Sequence, residues 1–253
     1  MPKTVNSSRE ASSPELASVL GLPIHLLPSY ADWLMQQLEA KAGVHVVTLN
    51  AEMAMQAEQD EPLAAVIRQA ELVIPDGAGV VLYLRVRGKR VNRCPGIELA
   101  ETLLERSPQK PYTVFFYGGA PGVAERAAAV WQQRAPGLAI AGVQHGFVED
   151  QNQLQQTLQD LQPDLILVGL GVPRQEFWIL NHRDLCPNSV WIGVGGSFDI
   201  WSGTKVRAPG WLRNNNLEWL YRLYQEPWRW RRMLALPKFA WKSLLYKGNS
   251  SIV

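Results

Sequence analysis

The chain has 253 residues, of which 47% are hydrophobic, and its formal net charge is +2. This length accommodates one large α/β domain with a well-buried core, and nothing in the composition forces a division into two such domains. The two cysteines, Cys94 and Cys186, lie far apart without Cys or His at metal-ligand spacing, and no apolar run approaches the ~20 residues of a spanning helix, which argues against a zinc site, a disulfide framework and an integral membrane protein.

The first twenty residues, MPKTVNSSREASSPELASVL, lack the continuous apolar stretch of a secretory signal. We predict that residues 1–20 form a flexible N-terminal segment. Together with the pattern of cysteines, which fits reduced thiols, this predicts a cytoplasmic protein whose contact with a membrane is peripheral.

Six short β-rich runs alternate with longer segments of helical period. The runs are 44–49, 71–75, 112–118, 138–143, 164–169 and 190–195. They are apolar on both parities, as expected when helices cover both faces of a sheet. Between them, Ser29 is predicted to cap a helix that runs to about Lys41, and Pro121 to stand in the first turn of another. The pattern predicts a Rossmann-like, mostly parallel α/β sheet in a catalytic domain over residues 21–204.

Glycines and polar residues cluster directly after these strands, where open α/β sheets bind their ligands. They are Thr48 and Asn50, Asp76, Gly118 and Gly119, Gly169 and Gly171, and Gly193, Gly195 and Gly196. A backbone without side chains can approach a phosphate closely, and a helix N-terminus offers unpaired N–H donors. Several such turns on one sheet edge predict a nucleotide site.

The usual nucleotide fingerprints are missing from the chain. It has no GxGxxG after the first strand and no GxxxxGK[ST] loop, which argues against a dinucleotide-dependent dehydrogenase and a P-loop ATPase. It also has no Asp-x-Asp triplet of the kind with which many sugar transferases hold a divalent metal. If a nucleotide diphosphate is the leaving group, arginines are the obvious groups to neutralise it, because guanidinium groups bind phosphate in a bidentate way.

From Lys205 to the C-terminus the chain is strongly basic. This tail carries ten Lys or Arg against two acids, Glu218 and Glu226, so its net charge is +8 while residues 1–204 sum to −6. It also holds five of the ten Trp residues. Basic charge interleaved with aromatic rings fits an anionic membrane surface. Such segments bind nucleic acid too, but the acidic body argues against that partner.

Two parts of the tail show helical patterns. The first is a set at i, i+3, i+4 and i+7 spacing that is predicted to pack on the body, namely Leu217, Leu220, Tyr221 and Tyr224. The second follows Pro237 and combines Lys238 and Lys242 with an apolar set, namely Phe239, Trp241, Leu244 and Leu245. This second part outlines a short interfacial helix for a membrane, and an oligomer contact is the alternative that the sequence leaves open.

Seven segments together resemble one known family. They are TLNAEM (48–53), LVIPDGAGVV (72–81), FFYGGAPGVAE (115–125), PDLILVGLGVPRQEFWI (163–179), GVGGSFDIWSG (193–203), RAPGWL (207–212) and LEWLYRLYQEPWRWRR (217–232). Over roughly residues 20–235 the chain resembles the WecG/TagA/CpsF bacterial glycosyltransferases. The resemblance implies transfer of a sugar, typically N-acetylmannosamine, from a UDP donor to a polyprenyl-diphosphate-linked acceptor on the cytoplasmic membrane face. It also implies inversion at the anomeric carbon, independence of metals and other cofactors, and self-association.

The same resemblance implies roles for residues at the strand ends. Asp76, in the PDG motif, would be the general base that takes the proton of the acceptor hydroxyl. Thr48 and Asn50 match a Thr-x-Asn pattern that implies contacts to the donor sugar or the acceptor. Helix capping is the structural alternative for these positions, because Asp76 and Asn50 each precede a predicted helix.

Further substrate-binding residues follow from the motifs. Gln175, in PRQE, matches a family glutamine that faces the nucleotide pocket, although a glutamine on a helix is usually only solvated. Arg93 is included too, but its neighbours depart from the family pattern, with Cys94 unusual and Glu98 in place of an Asp. Three strand-end glycines are predicted to approach the ligand with their backbone, namely Gly118, Gly119 and Gly195.

Three tail arginines, Arg222, Arg229 and Arg232, fall where the tail arginines of the family fall. The resemblance implies that residues 205–253 form an appendage that associates with the membrane and closes the active site, with these arginines on the leaving diphosphate. A solvated basic face is the structural alternative. Two other functions stay open, namely a relative that transfers another sugar such as glucose in exopolysaccharide assembly, and a non-catalytic nucleotide-binding module at the membrane.

Overall fold

The computed structural model describes residues 14–110 and 112–246. The strands are β1 (Glu15–Val19), β2 (Leu22–Leu26), β3 (Val44–Leu49), β4 (Leu72–Pro75), β5 (Thr113–Gly118), β6 (Ala139–Gln144), β7 (Leu165–Gly169) and β8 (Val190–Gly193). The helices of the body are α1 (Tyr30–Ala40), α2 (Ala51–Ala57), α3 (Glu61–Gln69), α4 (Ala78–Val86), α5 (Gly96–Arg106), α6 (Val123–Arg134), α7 (Gln151–Leu161), α8 (Arg174–His182) and α9 (Ser197–Trp201). The helices of the tail are α10 (Gly210–Asn214), α11 (Glu218–Gln225), α12 (Trp230–Met233) and α13 (Ala235–Leu245).

Six strands form one parallel sheet in the order β4-β3-β8-β7-β5-β6. Five of them are almost entirely buried, as predicted from runs that are apolar on both parities. β6, at one edge of the sheet, is the exception, and its residues are only partly buried or exposed. All six predicted strands are present, and the predicted Rossmann-like α/β fold is confirmed.

Helices cover both faces of the sheet because successive strand side chains point in opposite directions. Phe116 packs on one face in an aromatic cluster with Phe198, Trp201 and Trp131, with the rings of Phe116 and Phe198 5.6 Å apart. Its neighbour Phe115 packs on the other face, among residues of α7 and α8. The body is therefore a three-layer sandwich whose sheet edges carry the turns that bind ligands in such folds.

Two predicted helix starts have different outcomes. Ser29 caps α1 as predicted, because its Oγ accepts the N–H of Asp32 at 3.2 Å, and the helix ends at a left-handed Lys41. Pro121 does not stand in the first turn of α6. The helix begins at Val123 after Gly122, so Pro121 lies in the preceding turn.

The predicted boundary at residue 20 falls inside a buried β-hairpin. Strands β1 and β2 pair in antiparallel fashion around a two-residue turn, Leu20–Gly21, in which both residues have positive φ. Ala17 and Val19 pack in the hydrophobic core with α2 and α4. Residues 15–19 are thus part of the folded body, which corrects the prediction of a flexible segment there, while residues 1–13 lie outside the described residues.

The tail packs along the body through its last helix. Phe239 is only 3% exposed and lies between α2 and α4, with its ring 6.0 Å from that of Tyr83. The prediction that Leu220 and Tyr224 pack on the body is wrong, since both are exposed, Tyr224 to 81%. The contact of α11 with the body is instead made by a charged residue, Glu218, which pairs with Arg93.

The second tail pattern also differs from its prediction in one residue. Trp241, Leu244 and Leu245 are exposed on α13, as an interfacial helix requires, but Phe239 faces the core. Among the described residues, no helix combines the length and the apolar character that a membrane crossing requires.

Candidate active site

A cavity of about 550 Å³ opens at the carboxyl ends of four adjacent strands, β4, β3, β8 and β7. This volume lies within the range of small-ligand sites. The strand ends form one side of the cavity, and tail residues from Lys205 to Leu236 form the other. The cavity therefore lies where parallel sheets bind their ligands, and the tail encloses it.

Asp76 lies directly after β4 and lines this cavity. Its backbone N–H donates to the carbonyl of Leu49 at 3.0 Å, and its Oδ1 accepts the N–H of Gly96, the first residue of α5, at 3.0 Å. It does not cap α4, whose capping residue Gly77 makes no side-chain bond. The carboxylate is thus fixed at one oxygen by a helix N-terminus that the sequence did not indicate.

The charge environment of Asp76 has opposing parts. Burial raises the pKa of this carboxyl above its ordinary value, while Arg222, the Gly96 N–H and Arg93 act in the opposite direction. A carboxylate with a raised pKa and a cavity beside it is suited to accept a proton.

Thr48 and Asn50 line the cavity beside Asp76. Thr48 Oγ1 donates to the carbonyl of Gly193 at 3.4 Å, which ties β3 to β8. Asn50 caps α2 through its Oδ1, which accepts the N–H of Met53 at 3.0 Å. The capping alternative therefore holds for Asn50, but the cap engages Oδ1 only, and Asn50 faces the cavity as well.

Gln175 is not the solvated helix glutamine of the structural alternative, because it is only 1% exposed and lines the cavity. Its Oε1 accepts the N–H groups of Gly171 at 3.1 Å and Gly195 at 3.0 Å. Its Nε2 donates to Oε1 of Glu176 at 2.9 Å. Gly195 lines the cavity as predicted, but its N–H points to Gln175 and is already satisfied within the protein.

Arg93 and Arg222 meet at one acid of the tail. The carboxylate of Glu218 lies 3.4 Å from a guanidinium nitrogen of Arg93 and 3.5 Å from one of Arg222. Arg207 is 3.8 Å from Glu218 and forms a closer pair of 2.5 Å with Glu98.

Arg229 and Arg232 meet at acids on a different side of the cavity. Arg232 is 3.3 Å from Glu52, on α2, and Arg229 is 3.9 Å from the same carboxylate. Arg229 also pairs with Glu226 at 2.8 Å, and Glu226 accepts from Lys205 at 2.9 Å. Burial alone would raise the pKa of Glu226, but the hydrogen bonds from Arg229 and Lys205 bring it below its ordinary value.

The structure thus brings the predicted tail arginines to the same cavity as Asp76. All three lie among its lining residues, together with Arg93, Thr48 and Asn50. Arg222 belongs to α11, Arg229 to the turn after Pro227 and Arg232 to α12. The strand ends of the body and the helices of the tail therefore form one cavity, which is lined by arginines and by the carboxylate of Asp76.

A family model described as "Glycosyl transferase WecG/TagA/CpsF family" matches residues 17–251. The chain belongs to this family. It is a glycosyltransferase, and the resemblance found in its sequence motifs is confirmed over nearly the whole length.

Relatives of this glycosyltransferase carry a more specific name. It is 39% identical over 215 residues to N-acetylglucosaminyldiphosphoundecaprenol N-acetyl-beta-D-mannosaminyltransferase of Bacillus spizizenii, covering 85% of this chain and 84% of that one. The protein of the same name from Bacillus subtilis is 38% identical over 225 residues, covering 88% of each chain. That of Staphylococcus aureus is 34% identical over 202 residues, covering 79% of each.

Two predicted ligand residues of this WecG/TagA/CpsF glycosyltransferase lie away from the cavity. Gly118 and Gly119 follow β5, the strand beyond β7, and neither lines the cavity. Gly118 has φ +137, and a Cβ there would lie 2.5 Å from the carbonyl of Gly169. Gly118 is explained by close backbone packing between β5 and β7, and Gly119, at φ +70, packs against Val123 at the start of α6. Their role in substrate binding stays a prediction that the cavity lining does not support.

Sequence reasoning missed several charged residues of the cavity. They are Glu52, Lys205, Arg207, Glu218 and Glu226. The tail has only two acids in a segment of net charge +8, and both of them pair with cavity arginines. Isolated acids in a basic segment could therefore have been recognised as site residues from the sequence. The positions of Glu52 and Arg207 at the cavity become clear only from the fold.

Proposed function

We propose that this glycosyltransferase transfers N-acetylmannosamine from a UDP donor to N-acetylglucosamine on a polyprenyl diphosphate, with inversion and without a metal. The observation that supports this most is the shared cavity, in which the Asp76 carboxylate lies with Arg222, Arg229 and Arg232. The names of the Bacillus and Staphylococcus relatives support the choice of sugar and acceptor.

In this proposal Asp76 acts as the general base. The acceptor hydroxyl oxygen attacks C1 of the donor sugar while its proton passes to the carboxylate, and the bond from C1 to the UDP oxygen breaks. A single displacement of this kind inverts the anomeric carbon. The hydrogen bond from the Gly96 N–H occupies Oδ1, which leaves Oδ2 as the oxygen that takes the proton.

The departing diphosphate gains negative charge, and the cavity arginines would stabilise it. In the structure Arg229 and Arg232 pair with Glu52, Arg229 also pairs with Glu226, and Arg222 pairs with Glu218. A diphosphate would replace carboxylates as their partner, and bidentate guanidinium contacts favour phosphate. The absence of an Asp-x-Asp triplet from the sequence agrees with arginines serving in place of a metal.

The exposed side of the tail supports a peripheral position at the inner membrane face. Trp211, Trp228, Trp230 and Trp241 are all exposed among its basic residues. Indole rings fit the headgroup boundary, and each cation near an anionic surface contributes about 1 kcal/mol of attraction. We expect the protein to float with vesicles that contain anionic lipid and not with neutral ones. Equal behaviour with both, or preferential retention of RNA in a filter-binding assay, would contradict a membrane face.

The function is tested by profiling UDP-sugars on the purified full chain with a lipid-linked N-acetylglucosamine acceptor. We expect UDP release and disaccharide formation with UDP-N-acetylmannosamine, unchanged by EDTA. Turnover with UDP-glucose instead would identify the exopolysaccharide alternative. Loss of turnover in EDTA with rescue by magnesium or manganese would refute the role of the arginines, and binding of UDP without turnover of any sugar would refute catalysis.

A further inference from the structure

The side chain of Gln175 joins two turns of the cavity wall. Gly171 belongs to the turn after β7, and Gly195 belongs to the turn after β8. Both backbone N–H groups donate to the same oxygen, Gln175 Oε1, at 3.1 and 3.0 Å. One amide oxygen therefore sets the spacing of the two turns that form the strand-end side of the cavity.

This arrangement works in only one orientation of the amide. A glutamine carries an acceptor at one end of its amide and two donors at the other. If the group turned over, Nε2 would face the two N–H donors of Gly171 and Gly195, and neither of them would keep an acceptor. The contact that opposes this rotation is the bond from Nε2 to Glu176 Oε1, at 2.9 Å.

The burial of Glu176 carries a cost in folding free energy. Its exposure is 0%, and its second oxygen, Oε2, has no hydrogen-bond partner among the described residues. Burying a carboxyl oxygen without a hydrogen-bond partner lowers the stability of the fold. The pair also packs directly against β8, since a Cβ on Gly193 would lie 2.4 Å from Gln175 Nε2 and 3.1 Å from Glu176 Oε1. The carboxyl is therefore fixed against Gln175.

We infer that Glu176 is a positioning residue for donor binding. It acts through Gln175, by holding the amide in the orientation that keeps the Gly171 and Gly195 turns together at the cavity. This inference rests on the proposed function only for its ligand, a UDP-sugar. The effect on the two glycine turns is independent of any ligand.

The test removes the acceptor of Glu176 in one variant and keeps it in another. Glu176→Met has an unbranched side chain of similar length but no oxygen for Gln175 Nε2, so the amide of Gln175 is no longer held in one orientation. Glu176→Gln keeps an oxygen that can accept from Nε2, with the same number of heavy atoms, and is the conservative variant. Glu125→Gln, at an exposed position of α6, is the matched control for loss of one carboxylate.

Two readouts separate the positioning role from the function. The first is hydrogen exchange of the Gly171 and Gly195 amides without ligand, and the second is the dissociation constant of UDP by calorimetry. We expect Glu176→Met to speed exchange at both amides and to weaken UDP binding at least tenfold. We expect Glu176→Gln to lie within about threefold of the unmodified chain in both measurements, and Glu125→Gln to match the unmodified chain.

Unchanged exchange and affinity in Glu176→Met, or a Glu176→Gln variant as impaired as Glu176→Met, would overturn the inference, because the acceptor of residue 176 would then not be what orients Gln175. If Glu176→Met fails to fold, Glu176→Gln decides, since near-normal exchange and affinity support the inference and impaired values overturn it. If the unmodified chain does not bind UDP, the proposed function fails, while the exchange data still decide the role of Glu176.

Discussion

The docking of α13 depends most on one buried aromatic residue, and the removal of its ring gives a measurable prediction. Phe239 is the buried residue of α13 and contacts α2 and α4 of the body. Replacing a buried Phe by Ala costs roughly 3 to 5 kcal/mol. The other contacts of α13 are weaker, since Ala235 and Leu236 are only partly buried against the same core, Arg87 donates to the carbonyls of Ser243 and Tyr246, and Lys242 forms an exposed ion pair with Glu58. Exposed pairs contribute about 1 kcal/mol or less.

The Phe239→Ala change should therefore weaken the docking of α13 while the body stays folded. A loss of 3 kcal/mol corresponds to a factor of about 100 in the docking equilibrium. We expect hydrogen exchange in α13 to accelerate about 100-fold or more in the absence of lipid, with no comparable change in β3 or β8. The Kd of UDP should rise as well, because α12 and its Arg232 directly precede α13.

Trp241→Ala is the control for this experiment, since it lies on the same helix but is 64% exposed. It should leave exchange in α13 within a few-fold of the unmodified chain. Unchanged exchange in Phe239→Ala, or equal acceleration in both variants, would refute the argument that the Phe239 contact holds the tail in place.

Three further predictions follow from the site and its surroundings. Gly118→Ala should lower the midpoint of thermal unfolding, because a Cβ would collide with Gly169, but it should leave the affinity for UDP unchanged. A weaker affinity in calorimetry would indicate that Gly118 belongs to the binding site. Arg222→Gln should move the acid limb of the kcat/KM profile to higher pH, because Arg222 is the strongest influence lowering the pKa of Asp76; a limb that stays or moves down contradicts this. Burial raises the pKa of Glu176 to about 7 from 4.5, so its contribution to stability is complete below pH 4.5 and declines as pH rises through 7. Between pH 4.5 and 8 the free energy of unfolding of the unmodified chain, measured with denaturant, should therefore fall by about 3 kcal/mol more than that of Glu176→Gln. An equal pH dependence of the two chains would contradict the burial argument.

The fold was accessible from the sequence because buried parallel strands leave a strong signal. Runs such as 44–49 carry apolar residues on both parities, are buried at every position, and are bounded by glycine or helix-capping residues. The hairpin at 15–26 was missed because its first strand is short and mixes Glu15 and Ser18 with apolar residues. Its existence depends on the turn at Leu20–Gly21 and on the core that Ala17 and Val19 join, which periodicity does not reveal.

The site was accessible in part for a related reason. Residues at strand ends, such as Asp76 and Thr48, share a sheet edge by topology, and topology follows from the strand pattern. The strand order decides which ends meet, however, and that is why Gly118 lies outside the cavity although its turn resembles the others. The contact of Gln175 with Gly195 could not be predicted, because it joins the turns after two different strands.

The central claim is that Asp76 takes the proton of the acceptor, and Asp76→Asn tests it most directly. The amide Oδ1 of Asn can still accept the Gly96 N–H, so the local fold should persist while the base is lost. We predict that turnover with UDP-N-acetylmannosamine and the lipid-linked acceptor falls roughly 10²- to 10⁴-fold, with the Kd of UDP within a few-fold of the unmodified chain. A variant that turns over at close to the normal rate would contradict the account.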